Sequence, residues 1–155
     1  MRATGVTAGS SREKSSPHFK SAEEMREVLQ AFLSDVDGDP EVGPRLRSTQ
    51  VPQRFAFPDL GLVCNIADSE DAGHCIRWSF SDDVEWKPAL TLEMDSAVAN
   101  RFLQGHENLA IAIARGRIHC STKTRAALSF LPISGALIER YRRIVERQYP
   151  HLVID

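Results

Sequence analysis

The chain has 155 residues, 42% of them hydrophobic and 26% charged, with a net charge of −2. That length suits one domain with a real core, and the composition is that of a globular chain rather than a disordered or fibrous one. The near-neutral total excludes a global pull toward nucleic acid, but the charge is uneven, with −7 over residues 1–100 and +5 over residues 101–155. A basic final third offers a surface for transient contact with a membrane or a protein, a second copy included; solvated helix faces give the same count.

Residues 1–20 are Ser-rich, lack a periodic apolar face and read as a flexible tail. A single domain is expected over residues 21–155. Its first helix opens at Ser21, where Ser21 and Glu24 have the spacing of a capping box. Met25, Val28, Leu29, Phe32, Leu33 and Val36 then follow on one helical face.

The acidic "DVDGDPEVGP" that follows has the wrong spacing for a calcium-binding EF-hand loop, which needs glycine sixth and glutamate twelfth. Counted from Asp35, Pro40 is sixth and Leu46 twelfth. A solvated turn is the expectation.

Runs with strand periodicity come next. "VPQRFAF" supplies one strand, and in "LGLVCNIAD" Leu62, Cys64 and Ile66 alternate with Val63, Asn65 and Ala67. "HCIRWSFS" places Ile76, Trp78 and Phe80 on one face, and "ALTLEM" does the same with Leu90, Leu92 and Met94. Acidic turns between these runs make an antiparallel meander the simplest topology.

The period then changes. Asp95 is placed to cap "SAVANRFLQ", with Gly105 ending that helix in the left-handed conformation, and "ENLAIAIAR" forms a second short helix stopped by Gly116. "RIHCST" returns to strand spacing, "TRAALSFL" reads as a short helix or turn before Pro132, and a long helix is expected over 134–149. Its apolar side carries Leu137, Ile138, Tyr141, Ile144 and Val145, and its other side Arg140, Arg142, Arg143 and Arg147.

Chemistry-bearing motifs are sparse. Two His-Cys pairs, His74-Cys75 and His119-Cys120, suggest metal or thiol sites, yet neighbours on a strand point to opposite faces and cannot converge on one ion. Neither C-x-x-C nor H-x-x-x-H spacing occurs, so no metal and no cofactor is expected. Cys64 and Cys120 alternate with apolar residues and read as small core hydrophobes. The chain also lacks a nucleophile elbow, a P-loop and a dinucleotide glycine pattern. Trp78 and Phe80 have no flanking cations on their own face, which argues against nucleic-acid binding.

Three thinly spread cysteines fit a reducing compartment. No apolar run approaches the ~20 residues that span a bilayer, and no signal-type segment or peroxisomal tripeptide stands in the sequence, so a cytoplasmic location is expected.

The segment from Pro88 to Leu131 resembles the sterol carrier protein 2 domain family. Leu90-Thr91-Leu92, Asp95, Phe102, Gly105, Ala110, Gly116-Arg117-Ile118 and Leu128 carry the likeness, and the preceding helix–strand order extends it over roughly residues 21–145. Thr122 and Lys123 stand where the family usually has a glycine and an acid. The arginine-bearing helix after Pro132 also departs from the family's short tail.

The resemblance implies an α/β (α+β) fold, with a five-stranded, mainly antiparallel sheet covered by helices on one face and an apolar cavity between them. It implies a carrier of lipid or sterol-like ligands without a catalytic motif. By position, Phe102, Leu109, Ile113, Leu128 and Leu131 line the tunnel, with Trp78 and Phe80 added from the sheet. Two other functions compete. One is a cofactor-free isomerase or cyclase drawing an acid or base from His119, His74 or Cys75; the other is an accessory module that docks a partner through its C-terminal helix.

Overall fold

A computed structural model describes residues 17–121 and 131–155, with Leu131 described by its backbone alone. Residues 1–16 of the tail, Leu128 and the expected turn over 124–130 lie outside the described residues.

Helix α1 (Ala22–Gly38) begins as its capping residues predict, with the Ser21 hydroxyl accepting from the Glu24 amide at 3.1 Å. The Glu24 carboxylate reaches back one residue further than an ordinary capping box and accepts from the Lys20 amide at 2.9 Å. All six predicted apolar positions of α1 are buried. Phe19, assigned to the tail from sequence, is buried beside them, since one aromatic two residues before the cap carries no periodic signal.

The acidic stretch after α1 is not a solvated turn. Asp39 is buried and accepts from the amides of Glu41 and Val42 at 2.8 and 2.7 Å, which starts the short helix α2 (Val42–Arg47). Its other oxygen pairs with Arg140, which also reaches Asp35 at 3.3 Å. Asp37 accepts from the amides of Cys75 and Ile76 at 2.7 and 3.0 Å. These carboxylates are internal clamps, holding α2, the C-terminal helix and a sheet edge to the end of α1.

The sheet comprises β1 (Gln53–Phe57), β2 (Leu62–Asp68), β3 (Ile76–Ser79), β4 (Leu90–Met94) and β5 (Ile118–Cys120), in the order β3-β2-β1-β4-β5. It is a mixed five-stranded sheet. β1, β2 and β3 form an antiparallel meander, but the meander stops there: β4 pairs parallel with β1, with Phe55 opposite Leu92, and β5 returns antiparallel to β4.

The connection 80–89 therefore crosses the sheet instead of making a hairpin, as a parallel pairing demands. It runs over the face away from the helices. Asp82 grips Arg54 of β1 at 2.8 and 2.9 Å and accepts from Asn65 of β2 at 3.2 Å, both outward-facing residues. Trp86 lies under Arg77, whose guanidinium carbon is 4.6 Å from the ring centre.

Helices α3 (Ser96–Leu103), α4 (Leu109–Ala114) and α5 (Leu131–Gln148) complete the opposite layer with α1. Asp95 sits at the N-cap of α3 without a side-chain bond. Asp59, from the β1–β2 turn, does the capping, accepting from the Ser96 amide at 2.9 Å and the Ser96 hydroxyl at 2.6 Å. Gly105 and Gly116 take the left-handed φ values of +84° and +77° expected of them.

The last helix starts at Leu131, three residues earlier than expected, because proline is tolerated in a first turn where its missing N–H costs nothing. Tyr141, Ile144 and Val145 bury its apolar side, Tyr141 edge-on to Phe32 at 5.6 Å. Among the described residues no helix is long and apolar enough to cross a membrane.

Candidate functional site

Strand alternation turns Phe55 and Phe57 of β1, Cys64 of β2 and Leu92 of β4 toward the helices. Phe32 of α1, Phe102 of α3, Leu109 of α4 and Leu137 of α5 face them, and the two layers do not close completely. Between them lies a void of about 140 Å³. Aromatic side chains hold the layers apart, while Ala99 and Cys64 are too short to fill the gap. A void of this order holds a benzene-sized apolar molecule.

Gly105 helps shape the wall. A Cβ there would stand 3.3 Å from Cγ2 of Ile138, a wall residue, so the glycine lets α5 approach the end of α3.

Of twenty described wall residues, only Gln53 and Ser134 are polar and none is charged, so the site solvates apolar matter and not a bare ion. Burial pushes the Cys64 thiol up to about 12, so the wall's sulfur stays protonated. Gln53 is unusual among these residues. It is 7% exposed, it lies on the inward face with Phe55, and its carboxamide makes no hydrogen bond to any described residue. Among the described residues the fully buried side-chain polar atom left without a partner is Trp86 Nε1, so the Gln53 carboxamide is not sealed off and keeps contact with the space beside it.

Of the residues expected to line a tunnel, Phe102 and Leu109 stand on the wall. Trp78, Phe80 and Ile113 are half-buried against the core behind it. The Trp78 indole donates to Gln30 on α1 at 2.9 Å, which ties its ring to the sheet's edge. Leu131 opens α5, and Leu128 lies outside the described residues. Phe32, Phe55 and Gln53 were missed because each reads from sequence as an ordinary core or strand residue. Only the parallel pairing of β1 with β4 puts β1 at the centre of the wall.

The three residues that an enzyme reading needs lie elsewhere. His119 is exposed and pairs in register with Glu93 on the outer face, so it is Cys120, opposite Leu92, that turns inward. His74 and Cys75 precede β3 and belong to a turn. The His74 ring lies 2.6 Å from Asp37, whose carboxylate raises the imidazole's pKa by hydrogen bond and charge. Burial opposes ionisation of Asp37, but the bonds from His74 and the amides of Ile76 and Cys75 outweigh it and hold its pKa low. The Cys75 sulfur packs at Gly43, where a Cβ would come within 3.0 Å of it and 2.9 Å of the Val36 carbonyl.

Polar clusters elsewhere brace the helical layer. Asn100, fully buried on α3, donates to the Leu152 carbonyl at 2.9 Å and accepts from Tyr141 at 2.8 Å and from Gln104 at 2.9 Å. Gln104 accepts in turn from the Ile154 amide at 3.0 Å. Glu107 is buried between Arg101 and Arg117. On α5, Arg140 is taken up by Asp35 and Asp39, Arg142 by Glu146 at 3.6 Å, and Arg143 by Glu139 at 3.0 Å. Much of the basic face is thus answered within the chain.

No family model matches the sequence, and comparison with curated proteins returns no relative. Solved structures do match. The sterol carrier protein domain 2 of Helicoverpa armigera superposes with a TM-score of 0.56 at 12% identity, over 81% of this chain and 95% of that one. The conserved hypothetical protein TT1886 from Thermus thermophilus gives 0.55 at 16% identity, over 83% and 94%. A ubiquinone synthesis protein, UbiJ-SCP2, gives 0.52 at 14% identity, over 75% and 94%. The chain spans only 14% of a longer match, the sec-alkylsulfatase Pisa1 from Pseudomonas sp., at a TM-score of 0.46. With its five-stranded mixed sheet and one-sided helical layer, the chain has the fold of the sterol carrier protein 2 domain.

Proposed function

We propose that the chain binds an apolar small molecule, of lipid or sterol-like character, between its sheet and helices, and carries it without chemistry. The observation behind this reading is the void of about 140 Å³ with an almost wholly apolar wall. Each ligand methylene taken from water into such a wall contributes about 0.8 kcal/mol, so affinity needs no charged partner. The void suits a ring or a short chain as it stands, and a longer ligand requires the helical layer to yield. The names of the structural neighbours, three of which carry the sterol carrier label in full or abbreviated, support the same ligand class.

The test is native mass spectrometry of protein purified without detergent, followed by extraction and identification of any bound molecule. A reproducible apolar adduct, displaced by added toluene, is expected. Protein that carries nothing and takes up no toluene near the solubility limit contradicts the proposal.

A further inference from the structure

Gln53 makes the ligand's chemistry more specific. Its side chain is more than nine-tenths buried, stands on the cavity wall and has no hydrogen-bond partner among the described residues. Among the described residues, the other buried Asn, Gln and Asp side chains have a visible use: Asn100 and Gln104 hold the C-terminal segment, Asn65 donates to the Ser81 carbonyl at 3.0 Å, and Asp39 caps α2. Strand position β1 would ordinarily take another Phe or Leu here, matching Phe55 and Phe57 two and four residues on. A carboxamide at that point gives up the packing of a larger apolar side chain and leaves its polar atoms open to a group that enters the cavity.

Gln53 also stands at a boundary. On another side it lines a surface recess of about 10 Å³ with Leu46, Ile66 and the exposed Arg47, Gln50 and Asp68, which has room for a single water at most. A ligand's polar group therefore reaches Gln53 only from the large cavity, with its apolar body lying along Phe55 and Leu92. A carboxamide offers one acceptor and two donors and carries no charge. It can pair with a hydroxyl or a carbonyl, and it cannot neutralise a carboxylate, for which the described wall supplies no cation.

We infer that Gln53 is the polar anchor of the cavity and that the ligand is a neutral apolar molecule with one hydroxyl or carbonyl at its buried end. This rests on the carrier reading, and the test separates the two. Affinities of phenol and toluene, both of a size for the void, are measured calorimetrically for the unaltered chain, for Gln53→Leu and for Gln53→Met. The anchor predicts that the phenol-to-toluene affinity ratio falls about tenfold in both variants, one hydrogen bond's worth of discrimination, while toluene binding is retained. A ratio unchanged within twofold, with both probes still binding, overturns the anchor and leaves the cavity intact. Uptake of neither probe by the unaltered chain overturns the carrier reading itself. Benzyl alcohol and benzoate decide the charge: benzoate binding at least tenfold weaker supports a neutral ligand, and equal binding overturns it.

Discussion

Ala99→Leu distinguishes a real void from a filled core by the sign of its effect. Ala99 is 2% exposed, sits in the middle of α3 and stands on the cavity wall. Leucine adds three carbons to that point. If they enter empty apolar space, about 0.8 kcal/mol for each buried methylene-sized group gives about 2 kcal/mol of added stability. For a domain of this size, that corresponds to a rise of about 4–8 °C in the unfolding midpoint. The assay is urea unfolding followed by circular dichroism, in which the midpoint rises and the slope stays constant. Toluene uptake falls in parallel, because the same space is taken. If the helices already rest on the sheet, the extra carbons overpack it and the variant loses about 1–3 kcal/mol instead. Destabilisation of that size refutes the reasoning.

Two further outcomes concern the frame around the cavity. Asn100→Ala leaves the Tyr141 hydroxyl buried without its acceptor and frees the Leu152 carbonyl of one donor, so a loss of about 3 kcal/mol is expected in urea unfolding; a loss below about 1 kcal/mol contradicts the hub. The His74–Asp37 pair makes stability pH-dependent. The raised His74 pKa means its contribution is complete below the ordinary value of 6.5 and is lost as pH rises through the higher folded value. The lowered Asp37 pKa means its contribution holds above 3.8 and is lost as pH falls through the lower folded value. His74→Ala should therefore flatten the decline in thermal midpoint as pH rises above 6.5, and an unchanged slope sinks the pairing.

Helix periodicity made the helical layer legible in the sequence. The face from Met25 to Val36, the two glycine stops at Gly105 and Gly116, and the apolar side of α5 all follow from spacing that local physics enforces. Strand alternation likewise sorted inward Cys64 and Leu92 from outward residues of the same strands. Order across the sheet was not legible. The stretch from Asp82 to Pro88 has the acids and proline of a hairpin turn, and nothing local records that Asp82 reaches Arg54 on another strand. That one crossing moves β4 beside β1 and makes Phe55 and Gln53 part of the site. The clamps were hidden for the same reason: Asp37 and Asp59 accept from amides 38 and 37 residues away in the sequence, and Asp39 pairs with Arg140 of α5, which charge patterning alone cannot reveal.

The central claim is that apolar matter enters between the sheet and the helices, and the most direct measurement is a toluene titration followed residue by residue in ¹H–¹³C methyl and aromatic NMR spectra. Saturable shifts are predicted at Phe55, Leu92, Phe102 and Leu109, with none at the outward His119 or at Ile111, the exposed isoleucine of α4. Shifts confined to Ile111, or none that saturate, would contradict the account.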